Sequence, residues 1–178
     1  MKALIQTSSS ENASGDIQKG YDFFKNRGVD MPQPMELMTA SPGYFSIMFN
    51  RALYFSNHPA LSFSLLAHIR YFSSCSLDYG FCRLFNKEQL KKMGMTEADF
   101  QTMGDDPHKS LLEEKDQIML SFVVRAMDDP EAIAGDDIEK LRAAGWTDGD
   151  MLDALAQGVG MKDHSIFMRV FKPEAEQA

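Results

Sequence analysis

SLLEEKDQIMLSFVVRAMDDP, residues 110–130, decides the architecture. Leu111, Leu112, Ile118, Met119, Phe122, Val123, Ala126 and Met127 recur at steps of three and four, forming one helical stripe wide enough to face a core. Ser110-x-x-Glu113 has the spacing of a capping box at the start, and Asp128-Asp129-Pro130 stops the run. The last third of the chain repeats the pattern. Thr147-x-x-Asp150 is a box with Asp in place of Glu or Gln, and Met151, Leu152, Leu155, Val159, Ile166, Val170 and Phe171 follow at helical spacing. Gly158 and Gly160 permit another helix to come close. Towards the amino end, Asp16 caps a helix expected to reach Arg27 and stop at Gly28, Ser41-Pro42 supplies a cap and a first-turn proline, and His58-Pro59 opens the next helix similarly. No sustained alternation marks a half-buried strand. The expected fold is all-α: a single-domain bundle of about eight helices over residues 16–178, after a flexible polar stretch at 1–15.

Composition narrows the function. The 178 residues suit one ordinary domain, and a chain of this length buries roughly 70% of its unfolded surface. Apolar residues make up 44% and no apolar run approaches a membrane span, so the protein is expected to lie outside the bilayer. A net charge of −8 repels phosphate backbones and anionic lipid, which argues against nucleic acid as a partner. The first residues lack the long apolar core of a secretory signal, so a cytoplasmic location is expected. Two cysteines, Cys75 and Cys82, cannot build a multi-bridge framework; they are inert core thiols or one functional pair.

Chemistry concentrates in residues 65–86, LLAHIRYFSSCSLDYGFCRLFN. An apolar helix carrying His68 and Cys75 is followed by a turn at Leu77-Asp78-Tyr79-Gly80 and a second helix. With Asp78 as its N-cap, Cys82 lies in the first turn, where the helix dipole favours a thiolate. The other reading of Cys82 is a buried, unreactive thiol among Phe81, Leu84 and Phe85. Seven residues of unbroken helix would hold the two Cα atoms about 10.5 Å apart, whereas a disulfide needs about 4.4–6.8 Å. A redox pair therefore requires the chain to double back after Cys75.

The chain resembles the alkylhydroperoxidase D-like family, which includes the carboxymuconolactone decarboxylases. The resemblance spans roughly residues 36–169. It is carried by Glu36-Leu37-Met38-Thr39-Ala40-Ser41-Pro42-Gly43, by the cysteine segment leading to Lys91-Lys92-Met93-Gly94-Met95-Thr96, by Glu114-Lys115-Asp116, and by the stretch from Asp136 through Trp146 and Thr147 to Asp148. The family's peroxidases place a Glu before C-x-x-C, and a His four residues beyond the second Cys. Aligned from Gly94, Cys82 falls on that second, peroxidatic cysteine, with Tyr79 at the first and Asn86 at the histidine. Aligned from the preceding helix, Cys75 falls near the first cysteine and Ser64 near the glutamate, turning C-x-x-C into a degenerate C-x6-C.

What the resemblance implies is a thiol-dependent, peroxidase-like oxidoreductase. Cys82 is the candidate nucleophile, Cys75 the resolving thiol, His68 the proton relay and Asn86 an amide that orients water or substrate. Ser64 and Tyr79 are candidate substrate contacts. The bland alternatives stand beside these: His68 as a hydrogen-bonded core or interface histidine, and Tyr79 as a filler of the altered turn. The runner-up function keeps the helical shell, loses peroxidase activity, and uses the cavity for small-molecule binding or decarboxylase-type chemistry. A metal site from His68, Cys75, Cys82 and His164 is disfavoured, because C-x6-C lacks the short spacing of common zinc sites. No cofactor is expected. The expected partners are a small molecule such as a hydroperoxide, a thiol reductant, and further copies of the chain in a dimer, trimer or hexamer. The apolar stretch at 44–49 and the last helix are the faces suited to that association.

Overall fold

The computed structural model describes residues 3–76 and 80–171, with the backbone alone at 76 and 80–82. Among the described residues there are nine α-helices and no strand: α1 Gly15–Lys25, α2 Gln33–Met38, α3 Pro42–Ser56, α4 Phe63–Ser76, α5 Gly80–Lys92, α6 Glu97–Met103, α7 Glu114–Asp128, α8 Gly135–Ala143 and α9 Asp148–Phe171. Short 3-10 turns at Pro107–Lys109 and Pro130–Ala132 flank α7. None of these helices is long and apolar enough to cross a membrane. The chain divides into two compact units, Met1–His58 with Ile166–Ala178, and Pro59–Ser165.

In the first unit, Ile17, Met31, Met35, Met38, Phe45, Met48 and Phe49 form the core, and Phe45 is wholly buried. Gly20 lets α1 approach it. A Cβ there would stand 2.5 Å from Phe45 Cζ, closer than any real contact. The apolar stretch 44–49 is therefore divided in use: Phe45, Met48 and Phe49 are core, while Ile47 is exposed. The polar amino-terminal segment makes specific bonds within this unit. The Ser8 N–H donates to Thr39 Oγ1 at 2.8 Å, the Tyr21 hydroxyl to the Ser8 carbonyl at 2.7 Å, and the Leu4 N–H to the Phe171 carbonyl at 3.0 Å.

The second unit is built around α4. Leu65, Leu66, Ala67, His68, Ile69, Tyr71, Phe72, Ser73 and Ser74 are all buried, whereas Phe63 is exposed and Ser64, Arg70 and Cys75 are half-buried, so most of this helix is covered. Helix α5 packs along one side and α7 along another. Met119, Leu120, Phe122, Val123 and Ala126 form the buried face of α7. Trp146 is also buried; its indole N–H donates to the Lys115 carbonyl at 3.0 Å, and the Lys115 ammonium lies 4.1 Å from the ring centroid.

Several expected helix ends move. Helix α1 stops at Lys25, two residues before Arg27, and Gly28 follows with φ +69°, the left-handed conformation that suits glycine. His58-Pro59 does not open a helix. The cap of α4 is Ser62, whose Oγ accepts the Leu65 N–H at 3.0 Å. Ser110-x-x-Glu113 is no capping box either, because Asp106-Pro107 starts a 3-10 turn that ends at Ser110 and delays α7 to Glu114. Thr147 and Asp150 do form the expected reciprocal cap, at 3.0 and 3.1 Å. Along α9 the buried row is Met151, Ala154, Gly158, Met161, Ser165 and Met168, whereas Leu152, Val159, Ile166 and Val170 from the expected stripe are exposed. The small residues decide this. A Cβ on Gly158 would stand 2.9 Å from Val123 Cγ1 and 3.1 Å from Ser73 Oγ, so only glycine allows α9 so near α7 and α4.

Candidate functional site

Helix α4 ends at Ser76 and α5 begins at Gly80, and the two pack side by side. Side-chain bonds give their register. Asn86 of α5, 1% exposed, accepts from Arg70 Nε at 3.4 Å and donates through Nδ2 to Ser74 Oγ at 3.2 Å. Ser74 Oγ in turn donates to the Arg70 carbonyl at 2.6 Å. One residue of α5 thus meets two residues of α4 a turn apart, as in an antiparallel helix pair. In that register residue 82, one turn nearer the bend than Asn86, comes level with residues 75–76 of α4. Asn86 could not reach Arg70 and Ser74, sixteen and twelve residues earlier, along one continuous helix, where they would lie about 24 and 18 Å away. Leu77, Asp78 and Tyr79, and with them the expected cap and substrate tyrosine, lie outside the described residues, as does the Cys82 side chain.

Cys75 is a free thiol, half-buried near the carboxyl end of α4. Burial pushes its pKa up, while the Tyr71 hydroxyl and the charge of Arg83 pull it back and Asp105 adds to the rise. Tyr71, with which Cys75 shares a hydrogen bond, is itself pushed up to about 12, chiefly by burial. Both groups are protonated at neutral pH. Cys75 is therefore poorly suited to attack a peroxide first.

His68 is 2% exposed. Its Nδ1 lies 2.8 Å from the Ser64 carbonyl, an acceptor, so Nδ1 carries the proton in the neutral ring and Nε2 presents a lone pair. That Nε2 is buried with no hydrogen-bond partner. Burial lowers the pKa of the imidazole below 6.5, against the opposing pull of the Ser64 carbonyl and of Asp116. Asp116, on α7, accepts from Ser62 Oγ at 3.3 Å and is pushed up mainly by burial. Arg70, which faces Asn86, lies about 160° around α4 from His68. The structure thus joins Ser64 to His68 through a backbone carbonyl, and Asn86 to Ser74 and Arg70. No described hydrogen bond links the two groups. His164 is half-buried on α9. Among the described residues, no three His, Cys, Asp or Glu side chains converge to hold a metal. An open groove of about 460 Å³ between α7 and α8, lined by Lys115, Ile118 and Lys140 among others, includes none of the expected site residues.

Arg70, Tyr71 and Ser74 were not singled out by sequence reasoning. For Arg70 the signal was present: one cation inside the apolar run LLAHIRYF.

The His68 geometry has a measurable consequence. With its folded-state pKa below the unfolded value, the unfolded chain binds more protons as pH falls past 6.5, so stability is lost on that side. Asp116 acts with the opposite sign, since its raised pKa favours the folded state as it protonates. Urea denaturation of wild type and His68→Leu between pH 7.5 and 5.0 isolates the histidine. The wild type is expected to lose more stability than the variant, with a difference in slope of up to about 1.4 kcal/mol per pH unit. Parallel slopes would contradict it.

No family model matches the sequence, and no curated protein matches it. Solved structures do match. An uncharacterized peroxidase-related protein from Silicibacter sp. TM1040 superposes with a TM-score of 0.79 at 12% identity, covering 98% of this chain and 92% of the other. The fold is alkylhydroperoxidase D-like. An alkylhydroperoxidase AhpD core, an uncharacterized peroxidase-related protein from Ralstonia eutropha JMP134, matches equally well: TM-score 0.79, 14% identity, 99% of this chain and 94% of the other. At these identities the likeness concerns the alkylhydroperoxidase D-like fold alone.

Proposed function

We propose that this chain is a thiol-dependent, peroxidase-like oxidoreductase with a degenerate C-x6-C pair. The observation that carries the reading is the register of α4 against α5, with residue 82 level with Cys75. In the first step the Cys82 thiolate attacks the distal oxygen of a hydroperoxide. The S–O bond forms, the O–O bond breaks, the sulfur is oxidised to a sulfenic acid, and the leaving alkoxide takes a proton to become an alcohol. In the second step Cys75 attacks the sulfenic sulfur, a disulfide forms and water leaves. An external dithiol then restores both thiols by exchange. Burial keeps Cys75 protonated at neutral pH, unlike a peroxidatic thiol, so it must give up its proton before it attacks the sulfenic sulfur. Self-association is part of the proposal, through the outer row Leu152, Val159, Ile166 and Val170 of α9.

One observation favours the runner-up. His68 is bonded to the Ser64 carbonyl of its own helix, and Asn86, at the position of the family's histidine, cannot accept a proton at neutral pH. A chain lacking a relay for the peroxidatic thiol would keep the shell and bind a small molecule without reducing peroxide.

Thiol titration separates the two. The reduced protein is expected to show two reactive thiols under denaturing conditions, and none after one equivalent of hydrogen peroxide, with one intramolecular disulfide by mass spectrometry. Two thiols persisting, or a stable sulfenate on Cys82 beside an unreacted Cys75, would remove the two-cysteine mechanism.

A further inference from the structure

Arg70 stands in the most enclosed helix of its unit, flanked by Ile69, fully buried, and Tyr71, 8% exposed. Two surface arginines hold carboxylates: Arg125 pairs with Asp137 at 2.8 Å and Arg142 with Asp148 at 2.9 Å. Arg70 needs a counter-charge more than they do, since an enclosed charge costs far more than an exposed one. Among the described residues it has none. Of five N–H donors, its one described hydrogen bond is the long 3.4 Å contact from Nε to the neutral amide of Asn86. The guanidinium also lies 5.6 Å from the centroid of Phe63, a ring that is 57% exposed. Burial lowers the Arg70 pKa to about 10, which still leaves the group charged at neutral pH. The side chain is half-buried rather than sealed, so a ligand has access to it.

We infer that Arg70 is an anion-recognition residue that takes the carboxylate of an organic ligand, with the apolar body of the ligand against Phe63. A planar guanidinium matches a carboxylate through two parallel N–H···O bonds, and the exposed Phe63 ring beside it suits the hydrocarbon body of an organic acid better than inorganic phosphate. Arg70 precedes Cys75 by five residues, about 7.5 Å along the helix axis. The two point about 140° apart around that axis, so on the peroxidase reading above the substrate class becomes hydroperoxides that bear a carboxylate farther than that from the O–O bond. The choice of substrate rests on that reading; the anion site does not.

Binding is tested apart from turnover. Hexanoate, hexanol and inorganic phosphate are titrated by calorimetry at pH 7 and low salt into wild type, Arg70→Lys and Arg70→Gln, with folding checked by circular dichroism. Hexanoate is expected to bind the wild type at least tenfold more tightly than Arg70→Gln, with Arg70→Lys between them and hexanol indifferent to the substitution. Equal hexanoate affinity in wild type and Arg70→Gln, no hexanoate binding, or tighter binding of phosphate than of hexanoate overturns the proposal. Should Arg70→Gln fail to fold, Asn86→Asp decides, because it gives Arg70 an internal carboxylate. Hexanoate affinity must then drop at least tenfold, and an unchanged affinity overturns the site. A second arm compares kcat/KM for a hydroperoxide of hexanoic acid and for tert-butyl hydroperoxide. Hexanoate binding without turnover of either peroxide keeps the anion site and removes the peroxidase reading. Turnover of both peroxides with no dependence on Arg70 does the reverse.

Discussion

Cys82→Ser is expected to lower the second-order rate of hydrogen peroxide consumption by on the order of 10³-fold or more, since removing a nucleophile leaves only background reactivity. Cys75→Ser is expected to behave differently. It should consume one equivalent of peroxide at close to the wild-type rate and then stop, with a sulfenic acid trapped by dimedone on the tryptic peptide containing Cys82. Stopped-flow peroxide consumption followed by peptide mass spectrometry reads both outcomes. A pH arm makes the assignment of roles sharper. Burial keeps Cys75 protonated above the ordinary thiol range, so closure of the disulfide should accelerate as pH rises through 8 and 9 and the thiolate fraction grows. The initial attack by Cys82 should not follow the same curve. Equal, low rates in wild type and both variants would mean that the fold is present without the chemistry.

The largest structural effect is expected from Phe45→Ala. Phe45 is wholly buried among Ile17, Met31, Met35, Met48 and Phe49, and its ring stacks on Phe49 at 5.8 Å between centroids. Removing such a ring costs about 3–5 kcal/mol, from lost transfer energy and the cavity left behind. That is a large part of a typical domain stability of about 5–15 kcal/mol. Urea denaturation should show a fall in midpoint with little change in slope. Gly20 provides the control. In the wild type Gly20→Ala should destabilise, because the added Cβ would meet Phe45 Cζ at 2.5 Å. In the Phe45→Ala background the same methyl enters vacated space, and the penalty should vanish or reverse. A loss below about 1 kcal/mol for Phe45→Ala, or additive effects of the two substitutions, would mean that this core repacks freely.

Much of the helical architecture was legible because helix ends are written locally. Ser41-Pro42 and Thr147-x-x-Asp150 specify their own geometry within four residues, and both mark helix starts in the structure. Where the reading failed, a competing local or tertiary force decided. Ser110-x-x-Glu113 has the right letters, but Asp106-Pro107 just upstream commits the chain to a 3-10 turn that ends at Ser110. In α9 the hydrophobic period was right, Met151 is buried and Gly158 is the close approach its sequence suggested, but Leu152, Val159, Ile166 and Val170 lie on the outer face because the packed side there is taken by small residues. The cysteine segment divides in the same way. Composition suggested the turn, whereas the pairing of Asn86 with Arg70 and Ser74 comes from two helices meeting, which no single stretch of sequence encodes.

Helix α4 is covered along most of its length, with Leu65–Ile69 and Tyr71–Ser74 buried. Its amide protons can therefore exchange with deuterated solvent only when neighbouring helices detach, and their protection should report the largest opening free energy in the second unit. It also follows that substitutions along Leu65–Ser74 rarely act alone: each touches a neighbour, so new reactivity on this helix must arise together with changes in α5 or α7.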